Sequence, residues 1–338
     1  MEVFNKLKEQ RKTRNCWNCG GSVPFEDLAQ KVRPMDMDLF GEKMWLDKSS
    51  AIYCLKCYEK LKHHEGIKKE ERDVLKSLYV PRIGDRVPLV SKLQYTNRTA
   101  GFIVKNHNIV ELAIHGYYIS EIPENIRNLS SLKSLSIIGN RFLAPSSIPD
   151  TLGLLSSLQE LSLELNHLSF IPKSIGGLKS LEKLILSGNK LTSIPDSLGE
   201  LTSLKKFYVS SNQLKSLPNA IGDLKALEIL ELGNNKLIQL PESIGNLKAL
   251  EILNLQKNKL TELPESIGRL NNLRELNLDG TILQLLPNSF GNLKALTELS
   301  LSGNSIVRLP ASFERLDSLK RLNLNNPPLE SFPIFFGN

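Results

Sequence analysis

The residues best suited to chemistry in this sequence are four cysteines, all of which lie before residue 58. They form two Cys-x-x-Cys motifs, Cys16 with Cys19 in "CWNCGG" and Cys54 with Cys57 in "CLKCYE". Two such motifs provide four thiolates, which is the ligand number of a closed structural zinc site. The sequence therefore predicts that these four cysteines bind one structural Zn²⁺.

The surroundings of the two motifs resemble a treble-clef zinc finger. Two glycines follow Cys19, and their free backbone dihedrals suit a tight knuckle around a metal. The segment "LKCYEKLKHHE" after Cys54 is typical of a helix start, where thiolates are stabilised by the helix dipole. The 34 residues between the motifs exceed the usual spacing, so we expect an insertion to loop out of the finger.

Other roles for the cysteines are less well supported by the sequence. A redox Cys-x-x-Cys of the thioredoxin type needs a βαβ context, which neither motif has. Disulfides are typical of secreted chains, and the N-terminus has no apolar signal segment. His63 and His64 could replace or supplement a cysteine ligand, although we expect them to be solvated on a polar helix face. A catalytic zinc keeps an open coordination position, which four cysteines do not leave.

Net charge, hydropathy and the absence of catalytic motifs exclude further classes of function. The chain has 338 residues and a formal net charge of +7, which is a mild excess and not the clustered charge of a nucleic-acid surface. The basic run before the first motif is expected to be solvated, so nucleic acid is not the expected partner. No apolar stretch is long enough to span a membrane, and no P-loop, HExxH, GxSxG or GxGxxG motif occurs. We therefore expect a soluble cytoplasmic protein that is not an enzyme.

The rest of the chain is repetitive. The segments 224–246 and 247–269, "LKALEILELGNNKLIQLPESIGN" and "LKALEILNLQKNKLTELPESIGR", are nearly identical at a spacing of 23 residues. About ten such units follow one another from Ile109 to the end, with one longer unit of 26 residues. Alternation of apolar and polar residues within each unit predicts a short strand, and the "LPxSIGxL" segment predicts a helical turn. Because one unit cannot bury its leucines alone, the units must stack.

An asparagine recurs where each predicted strand turns inward. Its side-chain amide can satisfy backbone groups that would otherwise be buried without partners. Tyr117, Thr281 and Pro327 replace it in three units, and we expect a local irregularity of the stack at Thr281. The predicted ladder consists of Asn140, Asn166, Asn189, Asn212, Asn235, Asn258 and Asn304.

The repeats resemble intracellular leucine-rich-repeat scaffolds with the "LPxSIGxL" signature, such as plant intracellular Ras-group proteins, Ras-binding scaffolds and prokaryotic cytoplasmic relatives. The resemblance implies an α/β solenoid, a leucine-rich-repeat horseshoe with a parallel concave sheet. It also implies a protein partner, for which a small GTPase or another signalling protein is the candidate class. The chain ends within a repeat, so we expect either a truncated sequence or self-association through that end.

Six apolar residues stand at positions of the repeat where solvent-facing residues are expected, and several should fall on neighbouring strands. Exposed apolar side chains around a tyrosine are typical of a protein-binding hot spot. The alternative is that the two isoleucines of the repeated "LEIL" segment belong to the consensus and have no binding role. The predicted partner surface consists of Ile138, Leu165, Ile185, Tyr208, Ile229 and Ile252.

The sequence thus predicts three regions: a four-cysteine zinc-finger module over residues 1–66, a helical connector over 67–100, and a repeat domain over 101–338 that begins with a hairpin cap around Asn106-His107-Asn108. The leading hypothesis is a non-enzymatic scaffold that binds a protein partner on the concave face. The alternative is a zinc-finger adaptor that docks on nucleic acid or ubiquitin machinery while the repeats select the partner.

Overall fold

The computed structural model describes residues 13–15, 22–24, 67–78, 99–117, 119–140, 142 and 147–325. The chain divides into two compact units, Met1–Tyr117 and Tyr118–Asn338. In the first unit, strands β1 (Thr13–Asn15) and β2 (Ser22–Pro24) pair antiparallel.

The first unit also contains helix α1 (Lys69–Ser77) and a hairpin of strands β3 (Thr99–Lys105) and β4 (Asn108–His115). The two strands pair antiparallel with one register shift between Ile103 and Val104. Asn106 and His107 form the turn in left-handed conformations, with φ of 48° and 62°. A two-residue turn with both φ values positive matches the right-handed twist of the strands, so the hairpin expected around these residues is present.

Helix α1 is fixed to this hairpin by a buried polar contact. The side chain of Glu71 is fully buried, and its Oε2 accepts a hydrogen bond of 2.7 Å from the backbone N–H of Ile109. Burial raises the pKa of Glu71, and the hydrogen bond from Ile109 offsets part of this shift. Val74 and Leu75 are also fully buried, as the apolar side of the predicted helix requires.

The second unit is a stack of short parallel strands. Neighbouring strands pair in register, so that Leu184 lies beside Phe207 and Leu230 beside Leu253. The longer unit does not disturb this order, because Leu135 still pairs with Leu161. The strands described here are β5 (Ser134–Ile138), β6 (Glu160–Ser162), β7 (Lys183–Ile185), β8 (Lys206–Tyr208), β9 (Ile229–Glu231), β10 (Ile252–Asn254), β11 (Glu275–Asn277), β12 (Glu298–Ser300) and β13 (Arg321–Asn323).

A five-residue 3-10 helix lies in each "LPxSIGxL" segment of this unit, where the sequence predicted a helical turn. The proline before it is extended, as at Pro172 (φ −66°, ψ 150°), and its carbonyl accepts a hydrogen bond of 3.1 Å from the N–H of Ile175. Proline suits this position because its φ is fixed and it has no N–H to satisfy. The 3-10 helices are Glu124–Asn128, Asp150–Leu154, Lys173–Gly177, Asp196–Glu200, Asn219–Asp223, Glu242–Asn246, Glu265–Arg269, Asn288–Asn292 and Ala311–Arg315.

The glycine of the signature allows consecutive 3-10 helices to approach closely. A Cβ placed on Gly245 would lie 2.4 Å from the carbonyl oxygen and 2.7 Å from the Cβ of Ser266, in the next unit. Gly222 faces Ser243 at the same distances, and the pattern continues along the stack. The spacing of the units on this side is therefore set by a backbone contact that leaves no room for a methyl group.

The asparagines hold the units together on the side of the strands. Asn189 donates from Nδ2 to the carbonyls of Leu163 and Leu186, each at 2.9 Å, and its Oδ1 accepts from the N–H of Leu168, also at 2.9 Å. Each such residue thus joins its own unit to the preceding one. All seven asparagines of the predicted ladder are at most 7% exposed, and each makes some of these hydrogen bonds: Asn140, Asn166, Asn189, Asn212, Asn235, Asn258 and Asn304.

Thr281 interrupts this ladder within the described repeats, whereas Pro327 lies outside the described residues. The Thr281 hydroxyl bonds to the carbonyl of Leu278 and to Asn304 Oδ1. It supplies no acceptor to the N–H of Leu260, although Asn258 does so for Leu237 one unit earlier. The strand register continues unchanged through β13, so the expected irregularity is confined to the hydrogen bonds.

The glycine contact predicts a specific sensitivity to added volume. Gly245→Ala should lower the free energy of unfolding by about 1–3 kcal/mol, because its Cβ would press on the backbone of Ser266. Thermal unfolding monitored by circular dichroism measures this effect. Asn246→Ala, at the exposed neighbouring position, is the matched control and should change stability little. Equal melting temperatures for the two variants would contradict the packing argument.

The interrupted ladder predicts a stabilising substitution. Thr281→Asn should raise the free energy of unfolding by about 1 kcal/mol, because the amide would give the N–H of Leu260 an acceptor and add a donor between units. The reverse change at a regular position, Asn258→Thr, should lower it by at least as much, since that side chain now makes hydrogen bonds to both units. Chemical denaturation of the three proteins provides the measurement. A less stable Thr281→Asn variant would show that the hydroxyl is better suited to this position than an amide.

Candidate functional site

The predicted zinc module is only partly described. The backbone is described on both sides of "CWNCGG": β1 ends at Asn15, β2 begins at Ser22, and these two residues pair. Residues 16–21 lie between these two strands in sequence. The predicted ligands and the two histidines near them lie outside the described residues: Cys16, Cys19, Cys54, Cys57, His63 and His64.

The strands of the second unit have one face against the core and one open face. The central residue of each strand is directed into the core, as Leu184 and Phe207 are, both fully buried. Because side chains alternate along a strand, the residues on either side of it lie on the open face. From β6 to β13, the first row of this face contains Glu160, Lys183, Lys206, Ile229, Ile252, Glu275, Glu298 and Arg321.

The third residues of the same strands form a parallel row. Ile185 and Tyr208 are neighbours in that row, because β7 and β8 pair in register. From β6 to β13, the third row contains Ser162, Ile185, Tyr208, Glu231, Asn254, Asn277, Ser300 and Asn323.

Four of the six predicted partner residues come together on the open face. Ile185 lies beside Tyr208 in the third row, and Ile229 lies beside Ile252 in the first row. Tyr208 and Ile229 are diagonal neighbours on β8 and β9, a relation that places Cβ atoms roughly 7–8 Å apart. All four side chains are half-buried. We call this stripe, which crosses β7 to β10, the apolar diagonal.

The other two predicted residues are placed differently. Ile138 is the last residue of β5, and Leu165 follows β6 in a left-handed conformation with φ of 58°. Leu165 is 53% exposed, and its side chain extends over Gly188, where a Cβ would lie 2.4 Å from Leu165 Cδ2. These residues lie towards the ends of their strands and outside the two rows, so the six do not form one continuous stripe.

A concavity of about 660 Å³ begins where the apolar diagonal ends, and Ile252 contributes to both. It covers the open face over β9 to β13 and is lined by three carboxylates, Glu231, Glu275 and Glu298. Burial raises the pKa of Glu231, a hydrogen bond from Asn254 lowers it, and the charge of Glu275 raises it. The sequence did not reveal this cluster, because its three carboxylates come from three different units and meet only on the stacked strands.

Ion pairs between neighbouring units neutralise only part of this face. Glu298 pairs with Arg321, and Lys183 Nζ lies 4.0 Å from Glu160 Oε2. Exposed pairs of this kind contribute at most about 1 kcal/mol each. Among the described residues, Glu231, Glu275 and Lys206 have no oppositely charged partner within ion-pair distance. The open face thus has an unpaired cation on one side of the apolar diagonal and unpaired carboxylates on the other.

Within the parts of the chain that the structure describes, no three His, Cys, Asp or Glu residues come close enough to hold a metal ion. None of the helices described there is long and apolar enough to cross a membrane.

Family comparisons agree with the repeat architecture. A leucine-rich-repeat family matches residues 145–191 and 179–237, and a leucine-rich-repeat region matches residues 229–323. Together these matches span more than half of the chain and coincide with the stacked strands. The chain is a leucine-rich-repeat protein. Leucine-rich-repeat domains generally bind protein partners, and the open face of the sheet is available for this purpose.

Solved structures with similar folds come from several kinds of organism. A leucine-rich-repeat protein of Leptospira interrogans is 35% identical, with a TM-score of 0.60, over 64% of this chain and 55% of its own. The complex of PEPR1 with AtPEP1 is 28% identical, with a TM-score of 0.60, over 77% of this chain and 42% of its own. An internalin of Listeria monocytogenes, 20% identical with a TM-score of 0.55 over 67% and 66% of the two chains, shares the fold alone.

The leucine-rich-repeat chain thus spans about half of the length of the first of these structures. No curated protein matches its sequence significantly.

Proposed function

We propose that this leucine-rich-repeat protein is a non-enzymatic scaffold that binds a protein partner on the open, concave face of its sheet. The observation that carries the proposal is the apolar diagonal, in which Ile185, Tyr208, Ile229 and Ile252 are neighbours on four consecutive strands. Apolar side chains left partly exposed around a tyrosine are the usual composition of a binding hot spot.

Rigidity of the strands supports the same proposal. The residues between those of the diagonal, Phe207 and Leu230, are fully buried, and the asparagine ladder fixes the strand ends. A binding surface that is already ordered loses little conformational entropy when a partner docks. The diagonal can therefore convert most of its apolar contact into affinity.

We further propose that Cys16, Cys19, Cys54 and Cys57 bind a structural Zn²⁺ in a module that precedes the repeats in sequence. The pairing of Asn15 with Ser22 supports this, because it brings together the two residues that flank "CWNCGG" in sequence, as a zinc knuckle requires. Four thiolates would close the coordination sphere, so the metal would stabilise the module and leave no position for substrate.

The partner class rests on the sequence signature. The "LPxSIGxL" units resemble those of cytoplasmic scaffolds, which favours a cytoplasmic location and a small GTPase or another signalling protein as the partner. The alternative role, in which a zinc-finger adaptor docks on nucleic acid or ubiquitin machinery, would instead depend on the N-terminal module. Salt-dependent nucleic-acid binding by the full chain, abolished by Cys→Ser changes, would favour that alternative.

The apolar diagonal predicts a loss of binding on substitution. Combined Ile185→Glu and Tyr208→Ala changes should reduce capture of the partner from lysate by at least about ten-fold, because they place a charge in the hot spot and remove its aromatic anchor. Affinity capture on the immobilised full chain, followed by quantitative mass spectrometry, measures the effect. Melting temperatures of the variants verify that the repeats stay folded.

The matched control makes the same kinds of change at two apolar residues that are more exposed than those of the diagonal and lie outside the two rows. Ile238 is 56% exposed and Leu154 is 63% exposed, and the combined Ile238→Glu and Leu154→Ala variant should capture the partner normally. Capture of the same proteins in the same amounts by both double variants would exclude the apolar diagonal as the binding surface.

The zinc proposal predicts a chelator-sensitive N-terminal region. The purified chain should contain one zinc per molecule, and a strong chelator should make residues 10–65 sensitive to protease while the repeats melt as before. Elemental analysis and limited proteolysis with mass mapping are the measurements. The variant with all four cysteines changed to serine should lack zinc and should not respond to the chelator. Unchanged protease resistance after metal removal would refute a structural role for zinc.

A further inference from the structure

Tyr208 and Glu231 are paired side by side on the open face, at the point where the apolar diagonal meets the acidic concavity. They are register partners in the third row on β8 and β9. This pairing places the two side chains next to each other on adjacent strands, and the charge of Glu231 raises the pKa of Tyr208, after the larger effect of burial. An aromatic ring next to a carboxylate is a combination that can accept a planar cation, by stacking and by hydrogen bonding at once.

The negative charges around Tyr208 and Glu231 are only partly balanced by positive charges. Glu275 raises the pKa of Glu231 through repulsion and itself faces another carboxylate, because it is the register partner of Glu298. Like charges directly opposite each other destabilise a sheet. Arg321 pairs with Glu298, and Lys320 lies with it on the β13 side of the concavity. The deficit of positive charge is therefore concentrated at Glu231 and Glu275, beside Ile252.

We propose that the partner presents an arginine to this position, with its guanidinium stacked on Tyr208 and hydrogen-bonded to Glu231, and with an apolar side chain of the same segment on Ile229 and Ile252. This inference rests on the proposed function, because it specifies the chemistry of the partner that occupies the same face. The guanidinium would also reduce the repulsion between Glu231 and Glu275. Glu231 and Ile252 also line the concavity of about 660 Å³, so there is open space on the side of these residues that faces away from Tyr208.

Arginine fits this position better than lysine. The guanidinium is planar, can donate two parallel hydrogen bonds to one carboxylate, and is less strongly hydrated than an ammonium group. The site is half-buried, so a strongly hydrated cation would lose more solvation on entering it. The adjoining isoleucines add apolar contact that a free cation could not use, which favours a polypeptide as the ligand.

Lys206 indicates the direction in which the partner segment would cross the strands. It is the register partner of Ile229 in the first row and is unpaired among the described residues. A segment that crosses the face would therefore meet a cation near β8 and carboxylates near β9 and β11. The matching sequence has an acidic residue, then the arginine, then an apolar residue, in the order in which it crosses the strands from β8 to β10.

Selection from a random dodecapeptide library on the immobilised full chain tests the proposal without knowledge of the natural partner. Peptides enriched on the wild type over the Ile185→Glu, Tyr208→Ala variant should share an arginine at a constant spacing from an aliphatic or aromatic residue. An enriched peptide is then synthesised with this arginine intact or changed to lysine or alanine. Its affinity is measured by fluorescence anisotropy.

The decisive comparison is a double-mutant cycle. The Arg→Ala peptide should bind the wild-type chain roughly ten-fold or more weakly, and the Arg→Lys peptide should lie between the two. The original peptide should lose a similar factor on the Glu231→Gln, Glu275→Gln chain, on which the Arg→Ala peptide should lose little more. Glu242→Gln with Glu262→Gln removes the same charge from exposed positions outside the two rows and should leave the affinity unchanged.

The outcomes separate this inference from the proposed function. Enriched peptides without arginine, or strictly additive losses in the cycle, would overturn the arginine site, while the proposed function would stand if binding still required Ile185 and Tyr208. If no peptide were enriched on the wild type over the Ile185→Glu, Tyr208→Ala variant, both would be contradicted.

Discussion

The structure depends on how buried backbone groups are satisfied where each strand turns inward. Water cannot reach these groups, and an unpaired amide or carbonyl there would cost about 1–3 kcal/mol. One asparagine per unit solves the problem, because its amide can donate to two carbonyls while its oxygen accepts from an N–H of the preceding unit, as Asn212 does. The same asparagine side chain thus satisfies the backbone groups of its own turn and sets the distance to the preceding unit. The stacking of the units therefore depends on these hydrogen bonds.

On the opposite side of the stack, the spacing of the units depends on the small volume of the side chains there. The signature glycines face a carbonyl of the next unit at a distance that excludes a side chain, as Gly268 does with Ser289, and the residue that carries this carbonyl is a serine except at Gly199, which faces Ala220. Several of the signature serines, among them Ser243 and Ser266, have a buried hydroxyl without a hydrogen-bond partner. Small size, and not hydrogen bonding, therefore accounts for serine at this position. Asparagines fix one side of each unit and small residues fix the other, and together they hold the strands in register.

The sequence was sufficient to predict features that repeat, because their physical cause lies within one or two units. The stacked strands, the asparagine ladder and the turn at Asn106 and His107 belong to this group. The close approach of Gly245 to Ser266 could not be predicted, since it depends on the distance between units. The acidic concavity was missed for the same reason: Glu231 and Glu275 are far apart in sequence and come to line one concavity only through the stacking of β9, β10 and β11. Asn15 and Ser22, which flank "CWNCGG" in sequence, pair with each other, and zinc binding by the four cysteines stays a prediction.

Each short strand is divided between one core residue and two surface residues. This division explains how a repeat protein can have a specific set of side chains on its open face. A three-residue strand commits only its central side chain to the core, so its two outer residues can vary without loss of the stack. The apolar diagonal uses both outer rows, with Tyr208 from one and Ile229 from the other, and it exists only while β8 and β9 keep their register. The unit of 26 residues shows that extra length in a loop leaves the register of β5 and β6 intact. A slip of one residue within a strand would instead exchange core and surface side chains and would remove both the diagonal and the pairing of Tyr208 with Glu231. The asparagines at the strand ends therefore preserve the proposed binding surface, although none of them belongs to it.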